Sequence, residues 1–360
     1  MQPLRIAVLG AGMIGREHIA LVQDSADCQL VAVAVESAAP GELGKTFGVP
    51  CYTGYEALLE QESLDAVIVA LPNALHLNAG LACIERGLPV LMEKPVADSL
   101  ASGLALAEAS ESSGVAMLIG HHRRHSPDMI ESRRAIDAGE LGRLVAVNGV
   151  WWCKKHDGYF EPAWRRKLGA GPVLNNLVHD IDCLRYLCGE IDSVQAMTAN
   201  QARGFEVEDS FAVSLSFANG AIGTLVGSDS VPSPFMWDVA SGQSPVFPHQ
   251  PEPCYQIGGS LGCLSVPTME LWHHQEGEDW RNPLYRRRLQ PLRHDCYPRQ
   301  MAHFIDVVRG ERAPVIDARD GLMTLAATLA CDRAARTGMR VRVQDMLDCP
   351  SDRAPESAPG

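Results

Sequence analysis

Leu4-Arg5-Ile6-Ala7-Val8-Leu9-Gly10-Ala11-Gly12-Met13-Ile14-Gly15 decides how this 360-residue chain is read. Its first six residues form a short apolar run, and a segment with helical spacing follows the glycines. A pyrophosphate needs this order of strand, turn and helix. Gly10 permits the tight turn, and Gly12 lets backbone N–H groups approach the phosphates around Met13 and Ile14. Gly15 allows close packing of helix on strand, and the helix N-terminus adds partial positive charge. Glu36 ends the second apolar run about 20 residues beyond Gly15, the spacing of the dinucleotide fingerprint. A carboxylate there accepts bonds from the ribose hydroxyls and repels a 2′-phosphate. Ser37 follows it with no arginine beside it, so the expected cofactor is NAD.

Working outward, short Val- and Ile-rich runs at Leu4–Leu9, Leu30–Val35, Ala66–Leu71, Pro89–Met92 and Val115–Ile119 alternate with helical spacing at 56–60, 75–86 and 99–112. Such runs suit strands buried on both faces, and the alternation predicts an α/β, doubly wound parallel sheet over residues 1–122. Asp98 or Ser99 is placed to cap the last of these helices. The pattern then changes. A helix is expected over 128–138, ended by Gly139, and another over 175–187. Strands are expected over 144–152, 194–202, 210–217 and 221–228. Residues 232–256 read as a long surface excursion, the glycines of 258–262 as a strand turn, and 301–309 and 320–337 as closing helices. This makes 123–346 a second, α+β domain with a mostly antiparallel open sheet, and 347–360 a disordered tail.

Hydrophobic residues make up 46% of the chain, enough for sizeable cores. A formal charge of −13 argues against nucleic acid or an anionic membrane as partner. No apolar run reaches the length of a membrane-spanning helix and no leader is read at the start. The 11 cysteines lack a CxxC pair and read as reduced thiols, so a cytoplasmic protein is expected. Lysines number only 5 (Lys45, Lys94, Lys154, Lys155 and Lys167), and Lys94 closes an apolar strand in Glu93-Lys94-Pro95. In open α/β sheets that edge binds ligands. Pro72, Asn73 and His76 close the preceding strand and are expected to flank a nicotinamide, with loop capping as the competing role.

Gly10–Gly15, Glu93-Lys94-Pro95, Gly120-His121-His122-Arg123-Arg124 and the stretch Gly169–Asp182 together resemble the Gfo/Idh/MocA oxidoreductases over nearly the whole chain. The resemblance implies a Rossmann domain followed by an α/β domain whose open sheet often forms oligomer contacts, here a dimer or tetramer. It also implies hydride transfer between a nicotinamide and a secondary alcohol, commonly of a sugar or cyclitol. On a continuous helix Asn175 and His179 would share one face, with Asp182 one turn further on. Histidine is suited to take a hydroxyl proton near neutral pH, and Lys94 to stabilise alkoxide charge. Asn175 stands where the family commonly has an aspartate, which leaves the proton chemistry to Lys94 and His179 and gives Asn175 a role in orienting substrate. A core role for His179, satisfied by Asp182, is the competing expectation.

The cluster His121–His125 has arginines between its histidines, so no metal is expected there. Arg123, Arg124, Trp164 and Arg165 are candidate substrate contacts, with Glu93 beside the cofactor and Lys167 near Arg165. Arg286–Arg288 is read as surface. The expected activity is NAD-dependent oxidation of a secondary hydroxyl on a cyclic polyol, sugar or sugar derivative. The arginines keep open a carboxylated cyclic diol as substrate. Use of bound NAD in a glycoside-cleaving cycle is a further variant. Asn175 keeps open a non-catalytic nicotinamide-binding regulator.

Overall fold

A computed structural model describes residues 2–36, 40–244, 246–291 and 295–348. Ser37 and most of the expected tail, 349–360, lie outside these residues. The first half runs β1 (Leu4–Leu9), α1 (Met13–Asp24), β2 (Cys28–Val35), α2 (Pro40–Phe47), β3 (Cys51–Thr53), α3 (Tyr55–Gln61), β4 (Ala66–Val69), α4 (His76–Ile84), β5 (Val90–Met92), α5 (Leu100–Ser113) and β6 (Met117–Ile119). The strands form one parallel sheet in the order β3-β2-β1-β4-β5-β6. Order reverses between β1 and β4, the switch point at which such sheets open a ligand crevice. Ile6–Leu9 and Ala66–Val69 are wholly buried, which is why these runs read as continuously apolar. Ser99 caps α5 by accepting from the backbone N–H of Ser102 at 3.1 Å.

The second half runs α6 (Pro127–Asp137), β7 (Leu144–Trp152), α7 (Pro172–Asn175), α8 (Leu177–Cys188), β8 (Ile191–Ala199), β9 (Ser210–Phe217), β10 (Ile222–Ser228), α9 (Trp237–Ala240), β11 (Tyr255–Gly259), β12 (Gly262–Val266), β13 (Glu270–His273), β14 (Tyr285–Arg288), α10 (Cys296–Val308), α11 (Ala318–Thr337), β15 (Val341–Arg342) and α12 (Val343–Asp348). Its nine-stranded sheet is ordered β14-β13-β12-β11-β7-β10-β9-β8-β15, with β7 and β10 parallel and the other pairs antiparallel. Alternating burial along β9 and β10 leaves one sheet face covered by helices and the other open.

Two expectations are corrected. The helix expected over 175–187 is broken: α7 ends at Asn175, and Asn176 (φ −114°) precedes a new start at Leu177. The stretch 232–256 is not wholly a surface excursion, because Met236, Trp237, Ala240, Cys254 and Tyr255 are buried and the Trp237 and Tyr255 rings stack at 6.2 Å. Helix α11 joins the two halves, packing on α5 and β6 of the parallel sheet and on α8 and β8 of the other. Contact there is close. A Cβ at Gly321 would meet Ile119 at 2.8 Å, and one at Gly103 would meet Leu322 at 3.0 Å.

Candidate active site

The glycine turn is shaped by what it excludes. Gly10 has φ +103°, and a Cβ there would lie 2.2 Å from the Ala70 carbonyl oxygen. A Cβ at Gly15 would lie 2.2 Å from the Gly10 carbonyl oxygen, so side chains are barred where β1, β4 and α1 converge. At Gly12 the space is open, with no atom within 4 Å of a Cβ position. No side chain caps α1, whose first residue Met13 is 92% exposed while Ile14 is half-buried. Uncapped N–H groups beneath open space fit a pyrophosphate. Glu36 is exposed just past β2, and Pro72 and Asn73 are half-buried just past β4. These residues fit NAD.

Beyond β5, Glu93 does not face the crevice. It is buried, Nε2 of His18 lies 2.8 Å from its Oε1, and Oε2 accepts from the backbone N–H of Lys94 at 3.2 Å. Burial raises the Glu93 pKa, but the His18 hydrogen bond and charge bring it below the usual carboxylate range. Glu93 therefore ties Lys94 to α1, and its expected direct contact with cofactor is corrected to a bracing one. His76 is corrected in the same way. It is wholly buried, with Leu71 and Pro95 carbonyls 2.9 and 3.0 Å from its two nitrogens, so it pins the β4 corner to the β5 corner. Lys94 differs. It is half-buried, and among the described residues none accepts a hydrogen bond from its Nζ. Burial lowers its pKa, assisted by the Arg123 charge and opposed by Glu93 and Asp238.

The turn after β6, a 3-10 segment at His122–His125, divides residue by residue. Arg124 is buried against Asp182, with bonds of 2.7–3.1 Å, and against Asp320. It has no donor free for a substrate, so that expectation is corrected. Arg123 is also buried, within 3.2 Å of Asp180 and 3.4 Å of Asp238, with its guanidinium 5.7 Å from the Trp237 ring centre. It acts on the site as a fixed charge rather than as an open contact. His121 and His125 are buried, and burial pushes their pKa values down to about 4 and about 3. His121 is neutral above about pH 4, so Arg124 is the cation that keeps Asp182 ionised at neutral pH. His122 alone of the three is half-buried.

His179 lies in the first turn of α8 and is also half-buried. Its ring centre is 5.4 Å from that of His122 and 6.3 Å from that of His121. Burial lowers its pKa well below the usual histidine range, and the Lys94 and Arg123 charges add to this. Asp182 is committed to Arg124 and Thr324, so it does not satisfy His179. The break at Asn176 removes the shared helical face expected for Asn175 and His179. Asn175 instead donates to the Ala170 carbonyl at 2.7 Å, closing the glycine turn that precedes it. Trp164 and Arg165 are half-buried nearby in sequence, and Arg165 lies 4.2 Å over Tyr159 while donating to its carbonyl at 2.8 Å. Lys167 pairs with Glu206 at 2.6 Å on the surface.

Family models match both halves of the chain: an oxidoreductase family with an NAD-binding Rossmann fold over residues 4–121, and the GFO/IDH/MocA C-terminal domain over 129–265. The chain belongs to the Gfo/Idh/MocA oxidoreductase family. Relatives run almost end to end. The scyllo-inositol 2-dehydrogenase (NAD(+)) of Bacillus subtilis is 27% identical, covering 94% of this chain and 96% of its own. The 1,5-anhydro-D-fructose reductase of Ensifer adhaerens is 27% identical, covering 95% and 99%. Among solved structures, the WlbA dehydrogenase of Chromobacterium violaceum, in complex with NADH and UDP-GlcNAcA, is 25% identical with a TM-score of 0.75, covering 95% and 96%. This oxidoreductase accordingly binds NAD through its N-terminal domain.

The structure adds residues to this Gfo/Idh/MocA site that the motifs did not single out. Lys155 donates to Asn176 Oδ1 at 3.0 Å, at the break between α7 and α8, and sits 4.6 Å over the Tyr159 ring. Its scarcity as a lysine was the one available signal. Tyr297, from α10, stacks on His122 at 4.5 Å. His18 and Asp238 enter through partners remote in sequence, which no motif records. Among the described residues no group of three histidines, cysteines or acidic residues is arranged to hold a metal. A separate cavity of about 620 Å³, lined in part by Gly242, His249, Arg288 and Asp295, shares no residue with Lys94, His122 or His179.

Proposed function

We propose that this oxidoreductase oxidises a secondary hydroxyl of a cyclic polyol, sugar or sugar derivative. The observation that carries the reading is the half-buried Lys94, free of hydrogen-bonded partners among the described residues, beside neutral imidazoles at the carboxyl edge of the NAD-binding sheet. NAD held by Gly10–Gly15 and Glu36 would supply the hydride acceptor. Lys94 would donate a hydrogen bond to the carbinol oxygen and stabilise the alkoxide as it forms. His179, unprotonated at neutral pH, would take the hydroxyl proton. Asn175 cannot titrate, so its contribution would be to hold the glycine turn on which α7 begins. Glu93, His18 and His76 would fix the height of Lys94.

The activities named for the inositol and anhydrofructose relatives support a cyclic polyhydroxylated substrate. A second reading, a carboxylated substrate, is favoured by one observation: Arg165 Nε is buried without a hydrogen-bonding partner among the described residues. The UDP-GlcNAcA held by the WlbA relative is such an acid. A screen of inositols, sugars and sugar acids with NAD, followed by NADH absorbance, tests both. Turnover of neutral polyols supports the first reading, turnover confined to acids supports the second, and none at any pH overturns both.

The same proposal includes a homo-oligomer, a dimer or tetramer, formed through the open face of the nine-stranded sheet. Met197, Ala212, Val226 and Val150 lie in register across that sheet, and Met197 is 70% exposed. It also places the enzyme in the reducing cytoplasm, consistent with free thiols at all ten described cysteines. Among the described residues no helix is long and apolar enough to cross a membrane.

A further inference from the structure

His122 occupies a position that the mechanism above leaves without a task. It leaves β6 at the sheet edge that also carries Lys94 from β5, and its ring stacks on Tyr297 from α10 at an interplanar angle of 16°. Its other neighbour is His179, with ring planes at 67°. Within the turn, His121 and His125 are sealed in the core while His122 keeps accessible surface.

We propose that His122 is a second catalytic imidazole, touching the substrate hydroxyl beside His179 and sharing its proton. The inference rests on the dehydrogenase reading given above. In the step, the carbinol C–H bond breaks with its electron pair passing to NAD⁺, and the carbon–oxygen double bond forms. The O–H proton enters the imidazole pair. The pair holds one proton, because a second would place two cations a ring apart beside Lys94 and Arg123. The groups that act on His122 are Lys94 from the end of β5, His121, Arg123 and His125 from its own turn, His179 from α8 and Tyr297 from α10. Glu93 and Asp238, the carboxylates that act on Lys94, are engaged with His18 and Arg123. Burial above all, with the Arg123 and Lys94 charges behind it, keeps His122 unprotonated at neutral pH and able to accept.

The test pairs kinetics with a titration that needs no turnover. His122→Asn should lower kcat/KM roughly 10- to 100-fold, the scale of one general base among two. NAD⁺ affinity, read by fluorescence, should stay within about twofold, and the acid limb of the pH profile should move. Imidazole NMR titrations of the NAD-free protein should show His179 titrating at higher pH in His122→Asn, and His122 at higher pH in His179→Asn. A His122→Asn profile that superimposes on the wild type overturns the role, whatever the titrations show. The same holds if neither histidine shifts when the other is replaced. If the wild type turns over no polyol, sugar or sugar acid, the dehydrogenase reading falls and the catalytic role with it, while reciprocal shifts still establish the pair. Should His122→Asn fail to fold, His122→Gln carries the same test with the same outcomes.

Discussion

Two turns leave the same parallel sheet at its carboxyl edge, Gly10–Gly15 after β1 and His121–His125 after β6, and they specify function by opposite means. In the first, the backbone does the work. Side chains are absent because a Cβ at Gly10 or Gly15 would overlap a carbonyl oxygen 2.2 Å away. In the second, five polar side chains crowd one corner, and burial sorts them. Arg124 ties the corner to Asp182 and Asp320, His121 and His125 are buried in it, Arg123 supplies a fixed charge, and His122 keeps accessible surface. A backbone device has a sequence signature because few residues can replace glycine. A side-chain cluster has none, because arginine in a core ion pair and arginine over a substrate are the same letter.

Predictions that probe this contrast begin with the reacting centre, where the largest change is expected. His179→Ala should cost roughly 100- to 10,000-fold in kcat/KM while leaving NAD⁺ affinity, read by fluorescence, within about twofold. A loss below tenfold would move the base role elsewhere. Arg124→Met should leave Asp182 buried and without its cation and lower unfolding free energy by about 3–5 kcal/mol. Chemical denaturation measures it, and an unchanged midpoint would show that the two turns are not so different. Lys94→Met should lower kcat by roughly 100-fold with little change in melting temperature, the reverse of the Arg124 result.

A smaller effect is expected from pH. Burial depresses the pKa values of His121 and His125 in the folded protein, so their contribution is complete above the unfolded value of about 6.5 and is lost as pH falls through it toward about 4 for His121 and about 3 for His125. The melting temperature should therefore decline over that window, and less steeply in His121→Phe. The smallest change belongs to the glycine turn's partner. Glu36→Ala should weaken NAD⁺ binding about tenfold and narrow the preference over NADP⁺, without altering kcat at saturating cofactor. Equal loss for both cofactors would remove Glu36 from the ribose.

The same contrast explains what could be read from the chain alone. Five of the six parallel strands were legible because runs such as Ile6–Leu9, Leu30–Val35 and Ala66–Val69 are apolar on both faces. β3 and α2 were not, since Cys51–Thr53 is a short, partly exposed edge strand. Lys94 and His179 stood out by residue type and spacing. The roles of Asn175, His76 and Arg124 did not, because each is decided by a partner: Ala170 through a helix break, Leu71 and Pro95 through a corner, Asp320 from almost 200 positions away. Periodicity treated 175–187 as one helix, since nothing in Asn175-Asn176-Leu177 forbids helix outright. The break falls where Lys155 holds the Asn176 side chain, a contact from 21 residues away.

The seam made by α11 reaches further than the packing of two halves. Gly321 lies against Ile119, whose backbone N–H is bonded to the Ile316 carbonyl at 3.0 Å. The next residue, Gly120, leaves room for Glu93 alone, since a Cβ there would come within 3.0 Å of its carboxyl carbon. Glu93 in turn carries Lys94. Four successive links, two of them packing contacts and two peptide bonds, thus run from the last long helix to the Lys94 amine. The final sixth of the chain acts as a gauge block, setting how far a lysine made more than two hundred residues earlier stands above the sheet.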